Sequence, residues 1–196
     1  MSRRREVSGG EESTFDVRSR DLDIPFGQYE RRPKFPVTLV LDNLRSAFNV
    51  GSIFRTADTA RLRRIVTCGY TAHPPHLRLD KTALGTIEYV DTEHVESTME
   101  ALDNLQSRGI PVWALETTSA SRPYTEVTYP RTVALVLGNE ALGVERDVLD
   151  RCDELLEVPV FGYKNSLNVA CTAAVVVYEI LHQWGYQPAP TDPPPD

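Results

Sequence analysis

Three short stretches of this chain carry more chemistry than their surroundings. They are Asn49-x-Gly51-x-x-x-Arg55, Leu137-Gly138-Asn139-Glu140-Ala141-Leu142-Gly143 and Asn165-Ser166-Leu167-Asn168. Between them they hold a guanidinium, a carboxylate, a hydroxyl and four side-chain amides, the donors and acceptors that hold and orient a polar ligand. Each stretch follows an apolar run and precedes a polar or helical one. In parallel α/β sheets that is where ligands sit, because strand ends open into a crevice and helix N-termini leave backbone N–H groups unpaired. Each stretch also has a plain structural account. Asn49 serves equally well as a helix cap, Gly138 and Gly143 as turn residues, Ser166 or Asn168 as the cap of the last helix, and Glu140 and Arg55 as solvated charges.

The elements that would position these groups can be read from periodicity. Residues 37–42 (Val-Thr-Leu-Val-Leu-Asp) have the β-branching and length of a buried strand. A loop over 43–48 follows, then a helix in which Ile53, Phe54, Ala57 and Ala60 share a face and Arg55 points away from it. Residues 64–69 read as the next strand, 71–79 as an irregular loop, 88–90 as a short strand and 92–107 as a helix closed by Gly109. Residues 112–115 and 132–137 are further buried strands. The apolar run from Leu155 ends as a strand at Pro159 and leads through a loop with Gly162 into a helix over 169–184. The alternation predicts an α/β fold with a mostly parallel sheet, helices on both faces and right-handed crossovers.

Composition narrows the class. With 196 residues, 41% of them hydrophobic, and no apolar run of membrane-spanning length, one soluble domain with no membrane partner is expected. The expected division is a charged arm over 1–35, a folded domain over 36–187 and a Pro-rich tail over 188–196. The basic start lacks a following apolar stretch, so a cytoplasmic location is expected. Cys68, Cys152 and Cys171 are too dispersed for a disulfide framework or a zinc site. His73 and His76 flank Pro74-Pro75, which precludes a regular helix face, so no metal is expected there. A net charge of −7 argues against whole-surface attraction to nucleic acid and leaves room for local basic patches.

Taken together, the three stretches resemble the three motifs of the SpoU (TrmH) family of RNA ribose 2′-O-methyltransferases, in the SPOUT superfamily. All three occur in order, and Lys81-Thr82-Ala83-Leu84-Gly85 is also similar to the corresponding stretch of TrmH-like proteins. No G-x-G-x-x-G follows the first strand, so a dinucleotide site finds no support. The resemblance implies a C-terminal deep trefoil knot, a homodimer and a bent S-adenosyl-L-methionine bound in the knot. By position it implies a cofactor pocket from Leu115, Glu116, Thr117, Gly138, Asn139, Gly143, Val158, Val160, Lys164, Asn165, Ser166 and Leu167.

Carried over in the same way, the implied catalytic set is Asn49, Arg55, Glu140, Ser166 and Asn168. Arg55 would activate a ribose 2′-OH, Asn49, Ser166 and Asn168 would position it, and Glu140 would fix the loop or Arg55. The implied activity is 2′-O-methylation of a ribose in tRNA or rRNA. A SPOUT enzyme that methylates a base and a catalytically silent RNA-binding or assembly factor are the alternatives.

Overall fold

The structure, a computed structural model, describes residues 24–188. Residues 1–23 of the expected arm and 189–196 of the expected tail lie outside the described residues. Two units divide after Arg32. In the first, Pro25 precedes one turn of helix, α1 (Phe26–Tyr29), within the charged arm expected over 1–35.

The second unit is built on seven strands: β1 (Phe35–Asp42), β2 (Leu62–Cys68), β3 (Asp91–Val95), β4 (Val112–Leu115), β5 (Arg122–Pro123), β6 (Val133–Leu137) and β7 (Glu154–Glu157). Their spatial order is β3-β2-β1-β6-β4-β7-β5, and every pairing is parallel. The helices are α2 (Ala47–Thr59), α3 (Leu77–Ala83), α4 (Thr98–Ser107), α5 (Arg146–Leu149) and α6 (Val169–Gln183).

Side chains of the central strands alternate between two cores. Val37, Leu39 and Leu41 of β1 and Val133, Leu135 and Leu137 of β6 pack with Ile53, Phe54 and Ala57 of α2 and Ala173, Val176, Val177 and Ile180 of α6. Val40, Ala134 and Val136 face the other way, onto Ala101, Leu102 and Leu105 of α4 and Val148 of α5. Helices therefore cover both faces, which is why β1 and β6 read as unbroken apolar runs. Among the described residues, no helix is long and apolar enough to cross a membrane.

Several boundaries differ from the sequence-based expectation. Helix α2 begins at Ala47, capped by Ser46, whose Oγ accepts the Asn49 N–H at 3.3 Å. Asn49 is thus not a cap but a buried residue of the first turn. Residues 88–90 are not a strand: Thr86–Tyr89 form a 3-10 turn and β3 follows it. Residues 92–95, expected as helix, belong to that strand, and α4 starts at Thr98 with Ser97 as its cap. The stretch expected as an irregular loop holds the start of α3, capped by His76, whose ring nitrogen accepts the Leu79 N–H. Strand β7 stops at Glu157, two residues short of Pro159.

Candidate active site

The C-terminal ends of β6, β4 and β7 open onto a cavity of about 540 Å³, within the roughly 300–1,000 Å³ usual for small-molecule sites. Its walls come from four stretches: Leu115 to Thr117 after β4, Leu137 to Gly143 after β6, Leu156 to Val158 at the end of β7, and Asn165 to Val169 leading into α6, with Thr172 on that helix. Of the residues expected to hold a cofactor, Leu115, Glu116, Thr117, Gly138, Asn139, Gly143, Val158, Asn165, Ser166 and Leu167 line this cavity. Val160 and Lys164 do not line it; both are exposed on the loop that precedes α6.

The loop after β6 is drawn tight by its own hydrogen bonds. Asn139 and Gly143 exchange backbone bonds, Asn139 N–H to Gly143 O at 3.1 Å and Gly143 N–H to Asn139 O at 2.8 Å. The Asn139 Oδ1 accepts the N–H groups of Ala141 and Leu142. Gly143 has φ +72°, and a Cβ there would strike the Glu116 carboxylate. A Cβ on Gly138 would strike the backbone of Gly143 and Val144. Close approach of backbone therefore requires glycine at 138, and the positive φ favours it at 143. Glu116 fastens this loop to β4, with Oε2 accepting the Val144 N–H at 2.9 Å and Oε1 the Thr117 N–H at 3.0 Å.

Glu140 joins the loop to the start of α2. Its carboxylate accepts the Arg45 N–H at 2.8 Å, the Ser46 N–H at 3.1 Å and the Asn49 side-chain amide at 2.8 Å. Burial pushes the Glu140 carboxyl upward, but these bonds and its own backbone N–H outweigh burial and hold it below its ordinary value. A carboxylate at the N-terminus of α2 is also favoured by the helix dipole. Asn49 Oδ1 in turn accepts Asn168 Nδ2 at 3.1 Å. Asn168 Oδ1 caps α6 by accepting the Ala170 N–H at 2.9 Å, as the sequence suggested for this residue.

One chain of hydrogen bonds, Glu140 to Asn49 to Asn168, therefore ties the starts of α2 and α6 to the loop after β6. Three stretches separated by 91 and 119 residues meet in it. A profile of the SpoU rRNA Methylase family matches residues 36–178 of this sequence, a span that contains all three.

The chain belongs to that family.

Among known relatives, a Staphylococcus aureus (strain MSSA476) protein named as a TrmH family tRNA/rRNA methyltransferase is 31% identical, with 83% of this chain and 65% of that protein covered. An AdoMet-bound rRNA methyltransferase from Sinorhizobium meliloti superposes with a TM-score of 0.71 at 25% identity, covering 79% of this chain and 59% of that one. An RNA 2′-O ribose methyltransferase gives 0.70 at 27%, covering 78% and 58%. The chain thus spans a little under two thirds of the length of these family members.

Not every implied contact is made within this SpoU fold. Arg55 is exposed, does not line the cavity, and among the described residues makes no side-chain hydrogen bond or ion pair. It lies six residues beyond Asn49, about 240° further round α2. Glu140 fixes the loop and Asn49 rather than Arg55. Ser166 lines the cavity but is exposed, and among the described residues no hydrogen bond joins it to Arg55. Residues absent from the sequence-based set include Arg45 and Ser46, which supply backbone N–H groups to Glu140. Ser46 carried a signal, a serine three residues before a helical Asn; the role of Arg45 is a backbone one and carried none.

His73 stacks on His94 with centroids 3.7 Å apart and His76 caps α3. Among the described residues, no group of His, Cys, Asp and Glu is arranged to hold a metal ion.

Proposed function

We propose that this chain is an S-adenosyl-L-methionine-dependent RNA methyltransferase that acts on the 2′-hydroxyl of a ribose in tRNA or rRNA. The observation that carries this reading is the Glu140–Asn49–Asn168 chain, which links the family's first motif to the second and third, both of which line one cavity at the strand ends. The names of the Staphylococcus and Sinorhizobium relatives and of the ribose methyltransferase neighbour support it.

The residues present fit the cofactor. Leu115, Leu137, Leu156, Val158 and Leu167 offer an apolar slot for adenine, and the loop backbones supply the amide partners its edge needs. Glu116, Glu140 and Glu157 put carboxylates around a ligand whose sulfonium is positive. When bound, the cofactor supplies a methyl group already activated by its sulfonium, so the protein's task is alignment more than nucleophile generation.

Arg55 supplies the charge. A guanidinium stays protonated in proteins, which makes it a poor general base; instead it stabilises the developing 2′-oxyanion and holds a neighbouring phosphate. Its exposure outside the cavity of its own chain supports delivery to the cavity of a two-fold partner, with α2 and α6 at the interface. A knot is part of the same proposal. Strand β7 lies beyond β4, yet α6 packs back on α2, and this return of the chain past the central strands supports the knot.

The direct test is to map ribose methylation in total RNA from a strain lacking the gene, then to restore the missing mark with purified protein, cofactor and that RNA. Loss and restoration of one 2′-O-methyl group is the expected result. A lost base methylation, or an unchanged methylation map, would overturn the reading.

A further inference from the structure

Tyr70 combines two properties that seldom occur together. It is 62% exposed, yet its hydroxyl is fixed, accepting the Asn139 side-chain amide at 2.6 Å. The same amide donates to the Asn43 carbonyl at 2.7 Å, and Asn139 itself is only 6% exposed. The backbone on either side of the ring is held as well. Asn43 Oδ1 accepts the Tyr70 N–H at 3.3 Å, and buried Thr71 bridges the two loops, donating to the Leu41 carbonyl and accepting the Leu44 N–H at 2.9 Å. An aromatic ring held at its hydroxyl and at its backbone, with its face in solvent, is ordered before any partner arrives.

The loop that holds Tyr70 also carries Arg45. Its backbone N–H is bound to Glu140, whereas its side chain is exposed and makes no hydrogen bond or ion pair among the described residues. Asn43 and Arg45 lie two residues apart, so a free guanidinium and a rigid aromatic face share one hydrogen-bonded rim beside the cofactor loop. An exposed aromatic beside an unpaired cation is the pairing that binds single-stranded nucleic acid, the ring stacking on a base and the cation meeting the backbone.

We propose that Tyr70 and Arg45 form a contact for an unpaired nucleotide of the substrate RNA, with Tyr70 stacking on its base and Arg45 reaching a phosphate. The proposal rests on the RNA methyltransferase reading and narrows it: the target lies in or beside an unpaired stretch, because a base within a duplex has no free face to offer.

The test uses a ten-nucleotide single-stranded RNA containing 2-aminopurine, and the same strand annealed to its complement, as probes for the full-length protein. Tyr70→Ala should weaken binding of the single strand roughly tenfold or more, the scale of one base–aromatic stack, and leave the duplex affinity unchanged. Tyr70→Phe keeps the ring and loses only its anchor, and should stay within about threefold of wild type. Arg45→Gln should lower the slope of log affinity against log salt by about 0.7, one single-strand phosphate contact. Wild-type binding by Tyr70→Ala, or equal losses in Tyr70→Ala and Tyr70→Phe, would overturn the proposal, the second by showing that the hydroxyl acts only through Asn139. Conversion of a dimer to a monomer in Tyr70→Ala would also overturn it, by assigning the ring to a second copy of the chain. Calorimetry with S-adenosyl-L-methionine on the wild-type protein is separate: no cofactor binding counts against the methyltransferase reading, whatever the RNA probes show.

Discussion

At the scale of single residues, the site depends on two amides and a carboxylate whose roles can be separated. Asn168 donates to Asn49 with one end of its side chain and caps α6 with the other. Asn168→Ala should lose both and cost about 1–2 kcal/mol in chemical denaturation, the range for a lost cap. Asn168→Asp keeps the capping oxygen and removes the donor, so its melting should stay close to wild type while cofactor affinity falls. Equal cofactor affinity in Asn168→Asp and wild type would show that the link to Asn49 does not shape the cavity.

Glu140 adds a pH dependence whose sign follows from its lowered pKa. Its folded-state value is below the ordinary 4.5, so its contribution to stability is fully present above pH 4.5 and is lost as pH falls through the lowered value. The loops should loosen only in acid, and Glu140→Gln should flatten that limb of the stability profile and leave the neutral region's slope unchanged.

Arg55 presents a different kind of test. Arg55→Ala should reduce single-turnover methylation by about a hundredfold or more with cofactor affinity unchanged, and Arg55→Lys should recover little, because an ammonium cannot reach phosphate and hydroxyl with one planar fork. A wild-type rate in the alanine variant would remove it from the mechanism.

At the scale of elements, the packing of α2 on α3 turns on one glycine. A Cβ on Gly51 would overlap the side chain of Thr82, and the Thr82 hydroxyl is bound between the two helices, donating to the Ala47 carbonyl at 3.1 Å. Alanine is the better helix former by about 1 kcal/mol, but overpacking a fixed contact costs about 1–3 kcal/mol, so Gly51→Ala should lower stability on balance. Thr82→Ala in the same protein should recover part of the loss, which a pair of denaturation curves would show.

The sequence made the buried strands legible because two covered faces leave no polar alternation. It hid β3 for the opposite reason: four of the five residues in Asp-Thr-Glu-His-Val are solvent-accessible on the β2 side of the sheet's end, so nothing apolar marks them as a strand. It also started α2 too late. Asn49 and Gly51 are poor helix formers, and only the contacts to Glu140, Asn168 and Thr82 explain why a helix uses them. Asn49 and Asn168 were legible as candidate site residues through the family's motifs, but their bond to each other was not, since nothing local couples positions 119 apart. Tyr70 was equally hidden: an aromatic after a strand normally reads as packing, and only the Asn139 amide shows that it is held outward.

At the scale of the whole molecule, α6 presents a face that no other described residue covers. Ala170, Ala173, Val176, Val177, Ile180 and Leu181 are buried, whereas Val175 and Tyr178, three residues apart, are 37% and 44% exposed and Cys171 lies exposed one turn before them. Phe48 on the first turn of α2 is 67% exposed, and α2 packs directly on α6. A two-fold partner seated on this apolar surface would bury it and would carry Arg55 of one chain toward the cavity of the other. Val175→Asp should then convert a dimer to a monomer in sedimentation at micromolar concentration. The same variant should expose Cys171, so a thiol reagent that modifies Cys171 slowly in wild type should modify it rapidly in Val175→Asp. Cys68 gives the internal control, since burial pushes its thiol up to about 12 and holds it unreactive while the fold persists. If catalysis requires Arg55 from a partner, mixing Arg55→Ala chains with chains altered at Asn168 should restore activity at one of the two sites of each mixed dimer, up to about a quarter of the wild-type rate at equal mixing. A wild-type protein that sediments as a monomer, or mixtures no more active than their parents, would place all catalytic groups within one chain and require Arg55 to reach its own cavity by a movement of α2.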